Sequence, residues 1–579
     1  MRIANCSGFY GDRLAAAREM VEGGPIDFLT GDWLAELTML ILAKDRQRRP
    51  GGGYARTFLT QMEQVMGTCL ERGIKVVANA GGLNPSGCAA AVEEVAARLG
   101  LSPVVGYVEG DDMLPRLAEL REVGVELANL DTGEELGERE VMTANAYLGC
   151  WGIVEALDRG ADIVVTGRTT DAAVVLGPAA WHHRWARTDW DRLAGGVVAG
   201  HVIECGAQAT GGNYSFFLEV PGLEHPGFPI AEVEEDGSAV ITKHPTHGGL
   251  VSVGTVTAQL LYEIGGPRYL NPDVVTRFDT IRLSDLGDDR VRIDAVRGEP
   301  APRTAKVCVN LIGGHRATST LMLTGLDIEE KAALVESSLW ASFPEGRATF
   351  AEVNVQLIRS DHEDPGSNEA ATAQLRVTVK DPDEHKVGRP FTAAITEMAL
   401  AGYPGFYGGP SSGPSAYGVY WPALMPAEMV HQEVVVGGQR SVVEATPTST
   451  GEASAPTVDT GTAPAGPMVR AALGRVIGAR SGDKGGNANL GVWARSDAAF
   501  AWLAAFLTVD RLRVLLPETR LLLVERHDLP NIRALNFVVF GLLGEGVASS
   551  TRLDAQAKSL GEYLRAKVVD VPMSLTEGG

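Results

Sequence analysis

Short apolar runs alternate with stretches of helical spacing through the first part of the chain. Continuous apolar runs predict strands over 1–6, 26–30, 75–79, 104–108 and 161–166. Apolar residues at three- and four-residue intervals predict helices over 12–22, 33–44, 57–72, 88–99 and 144–159. Strand and helix in alternation predict a mainly parallel, helix-flanked sheet built from right-handed crossover units. From about residue 215 the pattern changes. Strand-like runs over 239–243, 303–309 and 374–380 are less regularly followed by helices, which are predicted over 326–340 and 393–401. The fold class expected is α/β, with an α/β part over about 1–215 and an α+β part over about 216–445.

The segment 446–466, TPTSTGEASAPTVDTGTAPAG, has almost no large apolar residue. It cannot bury enough surface to offset its ordering entropy, so a flexible linker is expected there. Beyond it, strands are predicted over 474–479, 489–494, 520–526, 534–540 and 568–571, with helices over 497–508 and 553–565. Helices packed on an antiparallel sheet in this order predict a small ferredoxin-like α+β domain over 467–579.

Charge narrows the partners. The 51 basic and 73 acidic residues leave a net charge of −22. A nucleic acid or an anionic membrane needs clustered Lys and Arg, so neither partner is expected. One phosphorylated small molecule needs only a local site and stays open. The six cysteines lie far apart with no CxxC pair, so neither a disulfide framework nor a structural zinc is predicted. No apolar run approaches the ~20 residues of a membrane helix. The opening MRIANCSGFYGD reads as strand and turn rather than a leader, and a cytoplasmic location is expected.

In open α/β sheets, ligands bind at the carboxyl ends of the strands. The turn after the first strand holds Gly8. The second strand ends in Thr30, Gly31 and Asp32, with Glu36 four residues on. The third is followed by Asn79, Gly81, Gly82 and Asn84, and the strand ending at Thr166 by Arg168, Thr169 and Asp171. Glycines let the backbone approach a ligand, helix starts offer free N–H groups, and Arg168 adds a fork suited to carboxylate or phosphate. Turns of this composition also serve simply to turn and cap. The glycines at 81, 82 and 87 do not make GxGxxG, so NAD or FAD is not predicted.

A predicted helix over 190–204 places His201 and Cys205 on one face, with Glu204 beside them. Such a trio can supply base, acid and nucleophile, and equally can be side chains packed in a helix face. Gly211, Gly212 and Asn213 form the following turn. His244 and His247, three apart without a third ligand, read as a solvated loop rather than a metal site. ARSGDKGGNAN, with Ser481, Asp483, Lys484 and Asn487, fails the Walker spacing and leads into a strand. It is a hairpin or a polar surface set against the body. DAQAKSLG, 554–561, reads as a capped helix.

The stretches FLTGDWLAELTM, NAGGLNPSGC, GADIVVTGRTTDAA, GHVIECGAQATGGNYS and VGTVTAQLLYEIGGPRYLNPDVV resemble the acyclic terpene utilisation family. ARSGDKGGNANLGVWARSD and NFVVFGLLGEGVASSTRLDAQAKSLGEYL resemble the small ferredoxin-like domain often fused to it. The resemblance covers nearly the whole chain apart from the linker. It implies breakdown of branched terpenoid acids, such as citronellate and geranylate, as coenzyme A thioesters.

The expected function is therefore a catabolic enzyme for a branched acyl-CoA or related carboxylate. Hydration, dehydration or C–C cleavage by acid–base groups is expected, with no redox cofactor. Asp32, Asp171 and Glu204 are the expected acid–base groups, His201 a proton carrier and Cys205 a nucleophile. Arg168 and the glycine turns are the expected binding groups. The alternatives are a non-catalytic ligand-binding or scaffold subunit and a metal-dependent phosphate-ester hydrolase. A homo-oligomer is the expected assembly.

Overall fold

The computed structural model describes residues 1–448 and 461–576. Most of the segment expected to be a linker, from 449 to 460, lies outside the described residues. In chain order the first elements are β1 (Arg2–Asn5), α1 (Ala16–Glu22), β2 (Phe28–Gly31), α2 (Glu36–Arg48), α3 (Arg56–Arg72), β3 (Lys75–Ala78), α4 (Pro85–Leu99), β4 (Val105–Glu109) and α5 (Leu117–Glu122). They continue with β5 (Val141–Ala146), α6 (Trp151–Asp158), β6 (Ile163–Thr166), α7 (Ala173–His183), α8 (Trp190–Ile203), β7 (Pro229–Val233), β8 (Ala239–Lys243) and α9 (Val253–Leu260).

Five strands in the order β1-β2-β3-β6-β4 pair in parallel and form the centre of the largest sheet. Their runs are apolar without alternation because both faces are covered. Ala4, Leu29, Val76, Ala78, Ile163 and Val165 face one core with α1, α3 and α4. Their neighbours Ile3, Phe28, Val77 and Val164 face a second core with α6, α7 and α8. The helices thus form a layer on each side. In α3, Phe58, Met62, Val65, Met66 and Cys69 are buried at helical spacing. Each such side chain contributes about 1.5–3 kcal/mol by leaving water.

Antiparallel strands extend both edges. β7, β8, Arg290–Asp294 and Arg282–Gly287 continue beyond β1, while Glu433–Val436 and Gln439–Val442 continue beyond β4. The runs around 239–243 therefore widen the first sheet rather than opening a separate one.

The C-terminal segment forms a four-stranded antiparallel sheet in the order Ile477–Lys484, Asn487–Ala494, Ala534–Val539, Val524–Leu529. Asp497–Phe506, Val509–Leu515 and Leu560–Arg565 are its helices, and Met468–Ala472 pairs with Val568–Pro572. By contact this segment belongs to one compact unit with residues 1–310. The second compact unit comprises 311–419 and 548–553. Within it Glu352–Ile358, Thr372–Asp381 and parts of the long strands Thr304–Thr324 and Tyr407–Pro426 form a sheet. Helices Ile328–Ala341 and Arg389–Ala401 share its apolar core.

Three predicted helices are corrected. Residues 144–159 are not one helix. β5 pairs with the strand Thr304–Thr324, Asn145 bonds Asp111, and only then does α6 begin. Pairing partners distant in sequence override the local helical spacing. The helix expected from 12 starts at Ala16, because Asp12 accepts from Gly8 N at 2.8 Å and closes a turn. The helix expected over 553–565 begins only at Leu560. The Asp554 carboxylate takes the N–H groups of Lys558 and Ser559, and Ala557 has φ +51°. Among the described residues no helix is long and apolar enough to cross a membrane.

Candidate functional site

Parallel order brings the carboxyl ends of β1, β2, β3 and β6 to one edge, and the turns there interlock. Asp32, buried after β2, accepts from Leu34 N at 2.9 Å and from the Asn79 amide beyond β3. Asn79 Oδ1 in turn accepts from Trp33 N at 2.7 Å. Gly81 must be glycine, since a Cβ there would lie 2.5 Å from the Thr166 carbonyl oxygen at the end of β6. Gly8 is held likewise, a Cβ there falling 2.5 Å from the Cys205 backbone.

Arg168 is 2 % exposed. Its Nη1 donates to Asp171 Oδ1 at 2.7 Å and to Leu34 O at 3.2 Å. Its guanidinium carbon stands 4.3 Å from the centre of the Tyr147 ring, whose hydroxyl donates to Glu36 Oε1 at 2.9 Å. Lys306 lies 3.6 Å from the same Glu36 oxygen. Burial alone would raise Glu36, but Lys306 and Arg168 bring it down to about 2. Burial works against the charge of Arg168, and Asp171, Tyr147, Glu36 and Asp32 outweigh it.

Helix α8 supplies His201, and Glu204 and Cys205 follow at its end. His201 Nδ1 is 3.3 Å from Glu204 Oε1, and the Leu260 backbone carbonyl also acts on the ring. The ring packs against Tyr269 and Phe278. Burial lowers His201 to about 4, so it is neutral at pH 7. Burial, then Asp171 and Glu263, raise Glu204. Burial, then Asp171, raise Asp32, with Arg168 acting against both shifts. The Cys205 thiol is pushed up by burial and by Glu204, Glu263, Asp32 and Asp171 around it, which disfavours a thiolate.

The C-terminal segment completes this cluster. Lys558 lies 3.3 Å from Asp483 Oδ1 and 3.7 Å from Glu263 Oε1, and bonds the Tyr262 hydroxyl. Lys484 Nζ donates to Glu263 O at 3.1 Å. Burial, then Asp483, raise Glu263 to about 7. Ser481 Oγ accepts from Gly561 N and donates to Lys558 O, fixing the Lys558 turn. Asn487 ties Asp131 to Gly541 N.

Glu263 and Glu36 keep 41 % and 28 % of their side-chain surfaces open. Asp171, Lys306 and Lys558 keep 27 %, 38 % and 35 % open against the same partners. A separate cleft of about 300 Å³, lined by Arg46, Gln47, Leu83, Asp112 and Thr143, contains none of these charged groups.

Asp32, Asn79, Arg168, Asp171, His201, Glu204, Cys205, Asp483 and Lys484 are thus brought together, with Gly8 and Gly81 setting the backbone beneath them. Thr169 is buried in the edge, its hydroxyl without a partner. Gly31 and Gly82 are packed against Trp33 and Leu42. Gly211, Gly212 and the exposed Asn213 close a turn on Ala207 and Gln208, with no bond into the cluster. Asn84 caps α4, its Oδ1 accepting from Gly87 N at 2.9 Å. Asn84→Ala is expected to cost about 1 kcal/mol in thermal unfolding and to leave ligand binding unchanged. A binding loss without a stability loss would move Asn84 into the site. His244 is buried, not solvated, because its ring reaches the Met20 carbonyl at 2.9 Å.

Glu36 follows the second strand as expected, whereas Tyr147, Tyr262, Glu263, Lys306, Tyr420 and Lys558 lie outside the turns that follow β1, β2, β3 and β6. Tyr262, Glu263 and Lys558 have one sequence signal, their place inside the family-like stretches LLYEIGG and DAQAKSLG, and Tyr147, Lys306 and Tyr420 have none. Among the described residues no group of three or more His, Cys, Asp and Glu is arranged to hold a metal ion.

Residues 1–436 match the family described as acyclic terpene utilisation family protein AtuA. The chain belongs to the acyclic terpene utilisation family. Residues 471–570 match the AtuA ferredoxin-like domain. No curated protein and no solved structure gives a match. The family implies a role in acyclic terpene utilisation. The cluster draws its charged groups from both matched regions, Glu36 to Lys306 from the first and Asp483, Lys484 and Lys558 from the second.

Proposed function

We propose that this family member is a catabolic enzyme that acts on a branched or terpenoid acyl-CoA, or the related carboxylate, by acid–base chemistry. Hydration, dehydration or C–C cleavage fits the groups present. One observation carries the reading. The cluster holds buried carboxyls of raised proton affinity beside a fixed cation, Arg168. Asp32 and Glu204 are raised by burial, while Glu263 sits at about 7. Carboxyls pushed apart in this way can divide acid and base roles at neutral pH. In this reading Glu263 takes a proton and Asp32 or Glu204 donates one. Arg168 steadies charge that develops on oxygen. Neutral His201, with Nδ1 3.3 Å from Glu204, relays the proton.

The test is turnover of geranyl-type and short branched acyl-CoAs by the purified full chain, followed by mass spectrometry. We expect kcat/KM to climb as pH rises through about 7, where Glu263 loses its proton. Glu263→Gln should remove that limb and lower kcat by about 10²–10⁴-fold. Absence of turnover with every thioester would defeat the reading and leave a binding or scaffold subunit.

A further inference from the structure

Tyr420 is 8 % exposed, and its hydroxyl has no hydrogen-bond partner among the described residues. A buried phenol of this kind costs free energy until something satisfies it. The ring is pinned. A Cβ at Gly485 would lie 2.5 Å from its Cε1, and one at Gly546 would lie 2.7 Å from its Cβ. Lys306 Nζ is 5.7 Å from the ring centre, and Lys484 immediately precedes Gly485 in the chain.

Lys484 has one hydrogen bond, to the Glu263 backbone oxygen, and no ion pair within 4 Å among the described residues. The carboxylate nearest Lys306 is Glu36, already engaged by the Tyr147 hydroxyl. Charged groups that act on Lys484 from neighbouring elements are Lys306, Glu263, Glu36 and Asp171. Asp483 on its own hairpin is taken by Lys558. Two ammonium groups and a hydroxyl therefore keep donors to spare in one part of the cluster. Like charges held together beside an unsatisfied donor are stabilised by an anion that bridges them.

We propose that Lys306, Lys484 and the Tyr420 hydroxyl form a subsite for a carboxylate group of the substrate. The proposal deepens the function proposed above and rests on it for the kind of molecule bound. Burial and then Lys306 hold Lys484 down to about 8, so the subsite loses a charge as pH rises past that value.

Isothermal titration of the full chain with citronellate and with its primary amide tests it. At pH 7 the acid is expected to bind about tenfold more tightly than the amide. Lys484→Gln should erase that preference. Tyr420→Phe keeps the pinned ring and should weaken the acid about threefold or more, leaving the amide unchanged. The preference should shrink above pH 8 in the unaltered protein. Equal binding of acid and amide, no binding of either, or a preference that survives Lys484→Gln would overturn the subsite. If Lys484→Gln does not fold, unchanged acid affinity in Tyr420→Phe overturns it alone. Thioester turnover is read separately. A protein that turns over thioesters but ignores the acid–amide difference keeps the proposed function and loses the subsite. Selective acid binding without turnover does the reverse.

Discussion

Replacing Arg168 by methionine is expected to destabilise the protein by about 3–5 kcal/mol, the cost of removing one partner from a buried ion pair. Arg168 is 2 % exposed, so its charge is balanced by protein rather than water. Asp171, Tyr147, Glu36 and Asp32 are arranged around that one cation. Methionine fills much of the volume, so the loss reports charge and hydrogen bonds more than a cavity. Asp32 and Glu204 should then rise further, since Arg168 is the group that opposes both shifts. Arg168→Lys keeps the charge but not the fork that serves Asp171 and the Leu34 carbonyl together, and should recover only part of the loss. Urea unfolding followed by tryptophan fluorescence gives the numbers. A loss below about 1 kcal/mol, the size of an exposed pair, would mean that water already screens this cluster.

Arg168 could be noticed in the sequence because it follows IVVT, a run too short for a helix and apolar without a break. The same logic located β1, β2, β3 and β4, and the carboxyl ends of β2, β3 and β6 gave Asp32, Asn79 and Asp171. Helical spacing in α8 drew His201, Glu204 and Cys205 to one place. The partners of these residues were illegible for a physical reason. Glu36 meets Lys306 only because β5 and Thr304–Thr324 pair, with Tyr147 N bonded to Lys306 O. That pairing joins segments more than a hundred residues apart. It also overrides the helical spacing of 144–159, so one misread element concealed Tyr147 and Lys306 together. Lys558 was hidden differently. Its segment has helical composition, and the Asp554 side chain diverts the backbone into a turn that delivers the ammonium to Asp483 and Glu263.

Asp111 offers a pH dependence that a single substitution isolates. It is 3 % exposed, and its Oδ2 accepts from Arg168 N at 2.9 Å and Asn145 Nδ2 at 2.8 Å. The carboxyl fits only because residue 167 is glycine, where a Cβ would fall 2.2 Å from Oδ1. Burial raises Asp111 to about 7, and those two donors hold it from rising further. The folded chain therefore keeps a proton that the unfolded chain releases near pH 4. This stabilisation is fully present below about pH 4, is lost as pH rises towards 7, and levels off above it. The slope is about 1.4 kcal/mol per pH unit, or about 4 kcal/mol in all. Asp111→Asn cannot ionise, yet keeps an acceptor oxygen for the Arg168 N–H and the Asn145 amide. Its stability advantage over the original protein should widen by about 3 kcal/mol between pH 4.5 and 7 in urea titrations. Subtracting one protein from the other removes the opposite contributions of His201 and Glu36, which both carry. A gap that stays constant across that range would show Asp111 ionised throughout. Burial at the end of β4 would then be less complete than its contacts require.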